Sequence, residues 1–452
     1  MSGFMDRRDF LKTAGAGALA VGTTSLTGCS FSSDKRTEVS GDAEMQMRTS
    51  PKNGEKVSLL GYGCMRWPMK KGEDGKDHID QEAVNEMVDY AYKHGVNYYD
   101  TSPAYLQGQS EAAAGIALSR YPRDSYYIAT KLSNFNNSSR EASLKMYYDS
   151  MAALKTDYFD YYLLHAIGFS YEVFEERYIK NGLLDFLMAE REAGRIRNLG
   201  FSFHGKKEVF DIFMNLHEKY HWDFVQIEMN YVDWKHAKAP DNVNADYLYA
   251  ELMKRNIPAT IMEPLLGGRL AKLPVAIASK LKEREPEKSI ASWAFRFCGS
   301  YPGILTVLSG MSSMDPLIEN VETFSHFKPL TEEEISFLQE MADLMENYPT
   351  IPCTACAYCM PCPYGIDIPT IFRHYNDAVN AGDIAQSHEQ KDFQRLKRRY
   401  LVSYDRAVAT VRQADHCIGC GQCKSHCPQS IDIPRMLHRI DAYIEKLRRE
   451  TL

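Results

Sequence analysis

The sequence predicts an α/β fold, a (β/α)8 TIM barrel over residues 51–330, followed by an all-helical domain at 349–452. Three observations predict it. Short β-rich runs alternate with helical patterns over about the length of one such barrel. No Gly-x-Gly-x-x-Gly opens a helix, so an open doubly wound sheet is not supported. The last hundred or so residues carry charge at helical spacing and few strand signals. A chain of 452 residues is long enough for one large and one small domain.

The elements follow in order. Arg7-Arg8-Asp9-Phe10-Leu11-Lys12 precedes an Ala14 to Leu26 stretch that is too short and too rich in Gly and Ala to span a bilayer. Residues 1–28 therefore read as a twin-arginine export signal. Leu26-Thr27-Gly28-Cys29 resembles a bacterial lipobox, with Cys29 as the acylated residue. The expected location is periplasmic or otherwise extracytoplasmic, on a membrane surface held through that lipid. Residues 29–50 are polar and patternless, as a linker would be. Predicted strands are Tyr98 to Asp100, Tyr126 to Lys131, Tyr158 to His165, Ile196 to Ser202, Phe224 to Met229, Ala259 to Met262 and Ile304 to Leu308. Helices are predicted at Glu111 to Arg120, Arg140 to Lys155, Lys206 to His217 and Asp315 to Phe324, and a connecting helix at 331–348. Lys and Arg number 53 against 60 Asp and Glu, a net charge of −7 with no basic stripe, which excludes nucleic acid as a partner.

Eight of the eleven cysteines fall in two motifs, Cys353-x2-Cys356-x2-Cys359-x2-Cys362-Pro363 and Cys417-x2-Cys420-x2-Cys423-x3-Cys427-Pro428. The second is the bacterial ferredoxin run, whose fourth cysteine serves the other cluster. On that logic Cys353, Cys356, Cys359 and Cys427 hold one [4Fe–4S] cluster, and Cys417, Cys420, Cys423 and Cys362 hold the other. The first motif is one residue shorter before its last cysteine. Zinc sites with four cysteines are the rival, but they are built from two pairs and do not explain three evenly spaced cysteines plus Cys-Pro, twice. Ile366-Asp367-Ile368-Pro369 recurs as Ile431-Asp432-Ile433-Pro434, marking an internal duplication in which each proline suits the first turn of a helix. This tail resembles the α-helical ferredoxin modules of respiratory and dehydrogenase subunits. Twin-arginine export carries folded, cofactor-loaded proteins, which reconciles the signal with cysteines that are not disulfides.

Polar residues gather where barrel enzymes place their chemistry, at the C-terminal ends of strands. Asp100-Thr101-Ser102-Pro103-Ala104-Tyr105 follows one strand, Lys131 ends the next, and His165 ends the one after. With Gly200-Phe201-Ser202, Gln226, Glu263-Pro264-Leu265 and Glu319-Asn320 in order behind them, the segment resembles the aldo/keto reductase superfamily. The Cys-x2-Cys-x-Tyr-Cys-Met-Pro-Cys-Pro tail, with Tyr358, Met360 and Pro361, resembles the subset of that superfamily with a ferredoxin-type domain.

The resemblance implies a catalytic set of Tyr105, Asp100, Lys131 and His165. A carbonyl receiving a hydride develops negative charge on oxygen, which a phenol can protonate if its pKa is drawn down from about 10. Lys131 is expected to draw it down, Asp100 to hold Lys131, and His165 to orient the carbonyl oxygen. The resemblance also implies NAD(P)(H), contacted by Ser202, Gln226, Pro264, Leu265, Gly267, Ser309, Gly310 and Asn320. Gly267-Gly268 offers bare backbone to a pyrophosphate. Two departures stand out. Met262 occupies the place of the family's stacking tyrosine, and Ser309 to Met314 carries no Lys or Arg to clamp the NADP phosphate.

The expected function is an exported iron–sulfur oxidoreductase that interconverts a carbonyl and an alcohol on a small, sugar-like molecule and passes electrons to or from two [4Fe–4S] clusters. Its redox partner is not legible. The alternative is an electron-transfer module whose barrel is a silent docking scaffold. Nicotinamides pass electrons in pairs as hydride and clusters pass them singly, so the two halves do not couple directly.

Overall fold

Along the strands, side chains alternate between two faces, so Tyr98 and Asp100 share a face, as do Ala129 and Lys131, Leu163 and His165, and Phe224 and Gln226. The apolar members of these pairs meet in one cluster with Tyr161, Leu305 and Leu308, and the polar members stand one step further along each strand. A closed barrel produces this pattern: a dry interior and a polar mouth at the strand C-termini.

The computed structural model describes residues 44–237, 242–346, 348–427, 429 and 431–452. The export signal, Cys29 and most of the expected linker lie outside the described residues. A hairpin of β1 (Met47–Thr49) and β2 (Lys56–Ser58) precedes the barrel and takes up the end of the stretch read as linker. Strand β3 (Leu60–Gly63) opens the barrel, and a second hairpin, β4 (Met69–Lys71) and β5 (Asp77–Ile79), follows it. Strands β6 (Tyr98–Asp100), β7 (Tyr127–Leu132), β8 (Phe159–Ile167), β9 (Ile196–Phe203), β10 (Phe224–Glu228), β11 (Ala259–Met262) and β12 (Ile304–Ser309) complete it. All neighbours are parallel, and β12 closes on β3, making an eight-stranded barrel. Helices α1 (Gln81–Lys93), α2 (Ser110–Leu118), α3 (Arg140–Leu154), α4 (Leu183–Glu192), α5 (Lys207–Tyr220), α6 (Ala245–Met253), α7 (Ile290–Gly299) and α8 (Met314–Ser325) follow successive strands. The predicted (β/α)8 class holds. Strand β3 is the one barrel strand without a counterpart among the predicted runs.

Helix α9 (Glu332–Glu346) leads to the tail, whose helices are α10 (Ile368–Asn380), α11 (Phe393–Ala407) and α12 (Ile433–Arg449). Pro369 and Pro434 stand in the first turns of α10 and α12, where a missing N–H costs nothing. The Asp367 carboxylate accepts the Thr370 amide at 3.4 Å as a cap. The three helices share an apolar core of Ile371, Phe372, Leu396, Tyr400, Leu437 and Ile440, and six of the motif cysteines pack on its edge. Among the described residues no helix is long and apolar enough to cross a membrane.

Candidate active site and cysteine cages

The four residues drawn from the strand ends converge. The Lys131 ammonium donates to the Asp100 carboxylate at 2.5 Å and to the Thr101 carbonyl at 2.9 Å, with both side chains of the ion pair almost fully buried. The same ammonium lies 4.9 Å from the centre of the Tyr105 ring, and that ring meets the His165 imidazole edge-on at 6.0 Å. Gln226, on the strand opposite β6, reaches across the barrel, and its amide donates to the other oxygen of Asp100 at 3.1 Å. Asp100 is thus held from two sides.

The Tyr105 phenol departs from the sequence-based expectation. Burial pushes its pKa well above 10, and the Asp100 carboxylate adds to the rise. No lowering from Lys131, paired with Asp100 at hydrogen-bond distance, offsets that rise. Tyr105 is therefore a protonated donor.

His165 is set by residues the sequence reading did not single out. Its Nδ1 meets the hydroxyls of Ser133 at 2.5 Å and Ser102 at 3.3 Å, which bond each other at 2.8 Å. Its main-chain carbonyl accepts from Arg177 at 2.9 Å. A signal was present: Ser133 stands two residues after Lys131 and so shares its face. Burial holds the His165 pKa well below its ordinary 6.5, and the charge of Lys131 adds to that. A buried neutral imidazole contributes stability in full above about pH 6.5, and that stability is lost as pH falls below it, since the unfolded chain then binds a proton the native ring refuses. His165→Gln should accordingly flatten the acid side of a melting-temperature profile. An unchanged slope would refute the assignment.

The barrel mouth opens on a cavity of about 790 Å³ lined by Ala104, Phe135, Arg177 and His204 from the barrel and by Tyr358, Cys359, Pro361 and Cys423 from the tail. Tyr358, in the first cysteine loop, lines this cavity close to Tyr105 and Lys131.

The structure gathers the cysteines in two groups. Cys353, Cys356, Cys359 and Cys427 line one small cavity walled by Ile368, Phe372 and Ile433. Cys423 has Cys417, Cys420 and Cys362 as its thiol neighbours. All eight are free thiols. Among the described residues no three ligating side chains draw together on a single metal ion. Two sets of four thiols, one lining its own cavity, fit [4Fe–4S] clusters in donor chemistry and in number.

The eight residues expected to contact NAD(P)(H) are largely committed elsewhere. The Ser202 hydroxyl accepts the Ala166 amide at 2.8 Å, Gln226 is bound to Asp100, and Asn320 donates to the Ser309 hydroxyl at 3.0 Å. Pro264 is buried and Leu265 half-buried. Gly310 lies against the Arg66 side chain. Gly267 is covered by the main chain of Thr354. At Gly267 the place where bare backbone was expected to meet a pyrophosphate is taken by Thr354 of the tail. No local signal announced Arg66 or Thr354, which meet the strip only through the fold.

Comparison with known proteins agrees with this architecture. The description "Aldo/keto reductase family" matches residues 59–343, and "4Fe-4S dicluster domain" matches 352–431. The L-galactose dehydrogenase of Arabidopsis thaliana is 25% identical over 332 residues, 67% of this chain and 96% of that protein. The D-arabinose 1-dehydrogenase of Saccharomyces cerevisiae is 36% identical over 101 residues, 21% of this chain and 30% of that one. A Klebsiella pneumoniae aldo-keto reductase in complex with NADPH superposes with a TM-score of 0.52 at 19% identity, covering 66% of this chain and 95% of the other, and so shares the fold.

Proposed function

This chain belongs to the aldo/keto reductase family, and from that premise we propose that it is an exported, lipid-tethered oxidoreductase that interconverts an alcohol and a carbonyl on a sugar-like molecule. That it is an oxidoreductase carrying a 4Fe-4S domain follows from the two matches. The sugar-like substrate is supported by two relatives whose names denote dehydrogenases of sugars. Export and acylation at Cys29 rest on the twin-arginine and lipobox residues.

The observation that carries the chemistry is the convergence of Asp100, Lys131, Tyr105 and His165 at the strand ends, next to a cavity that their chain neighbours Ala104 and Ala166 share with the tail. A substrate oxygen in that cavity takes a hydrogen bond from the neutral His165 ring, whose Nδ1 is occupied by Ser133 and whose Nε2 remains for the ligand. Tyr105 donates its proton to the alkoxide that forms as the carbonyl carbon accepts a hydride from a two-electron carrier of the flavin or nicotinamide type, or, in reverse, receives the alcohol's proton as the carbon gives its hydride to that carrier. Asp100, fixed by Gln226, holds the Lys131 ammonium against the Tyr105 ring, where it faces negative charge arising on the substrate oxygen. Cys353, Cys356, Cys359 and Cys427 would hold one [4Fe–4S] cluster and Cys417, Cys420, Cys423 and Cys362 the other, supplying one-electron transfer when bound.

The test uses anaerobically prepared full-length protein with its iron and sulfide quantified. Aldoses and their lactones or ketones are offered in turn, and the visible absorbance of the clusters is followed. With free flavin added as a mediator between hydride and single-electron transfer, a substrate-dependent bleaching or recovery is expected. No response to either redox form, in a protein that dithionite bleaches, would favour the silent scaffold.

A further inference from the structure

The strip that the family resemblance assigns to a dinucleotide runs from Glu263 through Gly267, after β11, to Ser309 and Gly310, after β12. In this chain Gly267 adopts φ of +67°, and a Cβ built there would lie 2.3 Å from the Thr354 Cα and 2.5 Å from its carbonyl oxygen. The main chain of Thr354 therefore rests directly on the bare Cα, as closely as glycine alone allows. Thr354 is 3% exposed. Its carbonyl accepts the Arg66 guanidinium at 2.9 Å, and the stem of Arg66 runs against Gly310. Arg66 thus ties the first cysteine loop to both halves of the strip. A separate tie, from the Asn380 amide to the Lys272 carbonyl at 3.1 Å, fixes α10 to the segment beyond Gly267.

Electrostatics point the same way. The Gly267 N–H, which would otherwise be offered to a phosphate, donates to the Glu263 carboxylate at 2.5 Å. Burial and the nearby Glu228 raise the Glu263 pKa while Arg66 lowers it, and the Glu263 carboxylate stands at the amide that a phosphate would need. Like charges in a partly buried site repel strongly.

We propose that the first cysteine loop, residues 353–359, is a built-in occupant of the dinucleotide strip, and that this chain takes no nicotinamide dinucleotide there. The loop that seals the strip through Thr354 also delivers Tyr358 to the cavity beside Tyr105. The barrel's mouth is thereby shaped by the tail rather than by a diffusible nucleotide. The proposal rests on the reading above only in locating the site, and it concerns occupancy, not reaction.

Equilibrium dialysis of the iron-loaded, full-length protein against NADH and NADPH tests it. No saturable binding is expected up to millimolar nucleotide. Hydrogen exchange tests the occupant. Gly267→Ala places a Cβ against Thr354, and Arg66→Ala removes its tie without crowding; either should speed amide exchange across 353–359 by on the order of tenfold or more. Should Gly267→Ala fail to fold, Arg66→Ala still reads the contact. Saturable micromolar binding of either nucleotide, or unchanged exchange in the folded variants, overturns the proposal. Because dialysis needs no substrate, nucleotide binding would sink the occupancy and leave the catalytic set standing. A missing substrate response would do the reverse.

Discussion

Tyr105→Phe should lower substrate-dependent turnover by about 10²–10⁴-fold, the range for removing a positioned general acid or base. The substitution deletes one hydroxyl and keeps the ring that packs on Lys131 and His165, so the melting temperature and the cluster spectrum should stay near those of the parent. Substrate affinity should change little, since His165 still meets the oxygen. The loss therefore falls on kcat rather than KM. Single-turnover bleaching of the clusters by substrate, measured beside KM, checks it. Retention of full turnover would remove Tyr105 from the chemistry and restore the scaffold reading.

Lys131→Met should be the most damaging single change to stability. It removes one member of a buried ion pair and leaves the Asp100 carboxylate with Gln226 as its remaining side-chain partner. Breaking such a pair from one side costs about 3–5 kcal/mol, because the surviving charge stays buried. Lys131→Met with Asp100→Asn together should recover part of that loss, the neutral amide needing no counter-ion. Urea midpoints of the parent, the two single variants and the double variant form the required cycle. If Lys131→Met alone unfolds at the parent's midpoint, the pair is not the structural keystone its geometry describes.

How much of this was legible in the sequence depended on distance along the chain. The two cysteine groupings could be proposed from the sequence because the ligand logic is local: three cysteines two apart close one loop and send the fourth elsewhere. The barrel strands announced themselves by β-rich runs, except β3. Leu60-Gly61-Tyr62-Gly63 looks like a turn, yet Gly61 is glycine because a Cβ there would lie 2.7 Å from both Leu308 Cδ2 and Thr306 Oγ1 on the adjoining strand. The demand comes from a neighbour far off in sequence. Asp100, Tyr105, Lys131 and His165 were legible as strand-end residues, and the structure brings all four together. The electrostatic consequence was not, since the burial that raises the Tyr105 pKa comes only with the folded site. Gly267 was singled out correctly as a place of close approach, but what approaches it is the chain's own Thr354.

The exchange of the fourth cysteine between motifs bears on assembly. Cys427 belongs to the cage of the first motif and Cys362 lies among the thiols of the second. Neither cage is complete until both motifs, separated by α10 and α11, have been brought side by side. Filling one centre pre-pays the loop closure that the other needs. If each set holds a cluster, loading should be cooperative, and iron quantified per chain during reconstitution should show chains carrying a single centre to be scarce. Should the chain be exported folded, as proposed above, that coupling would make metal loading a check on the tail before transport.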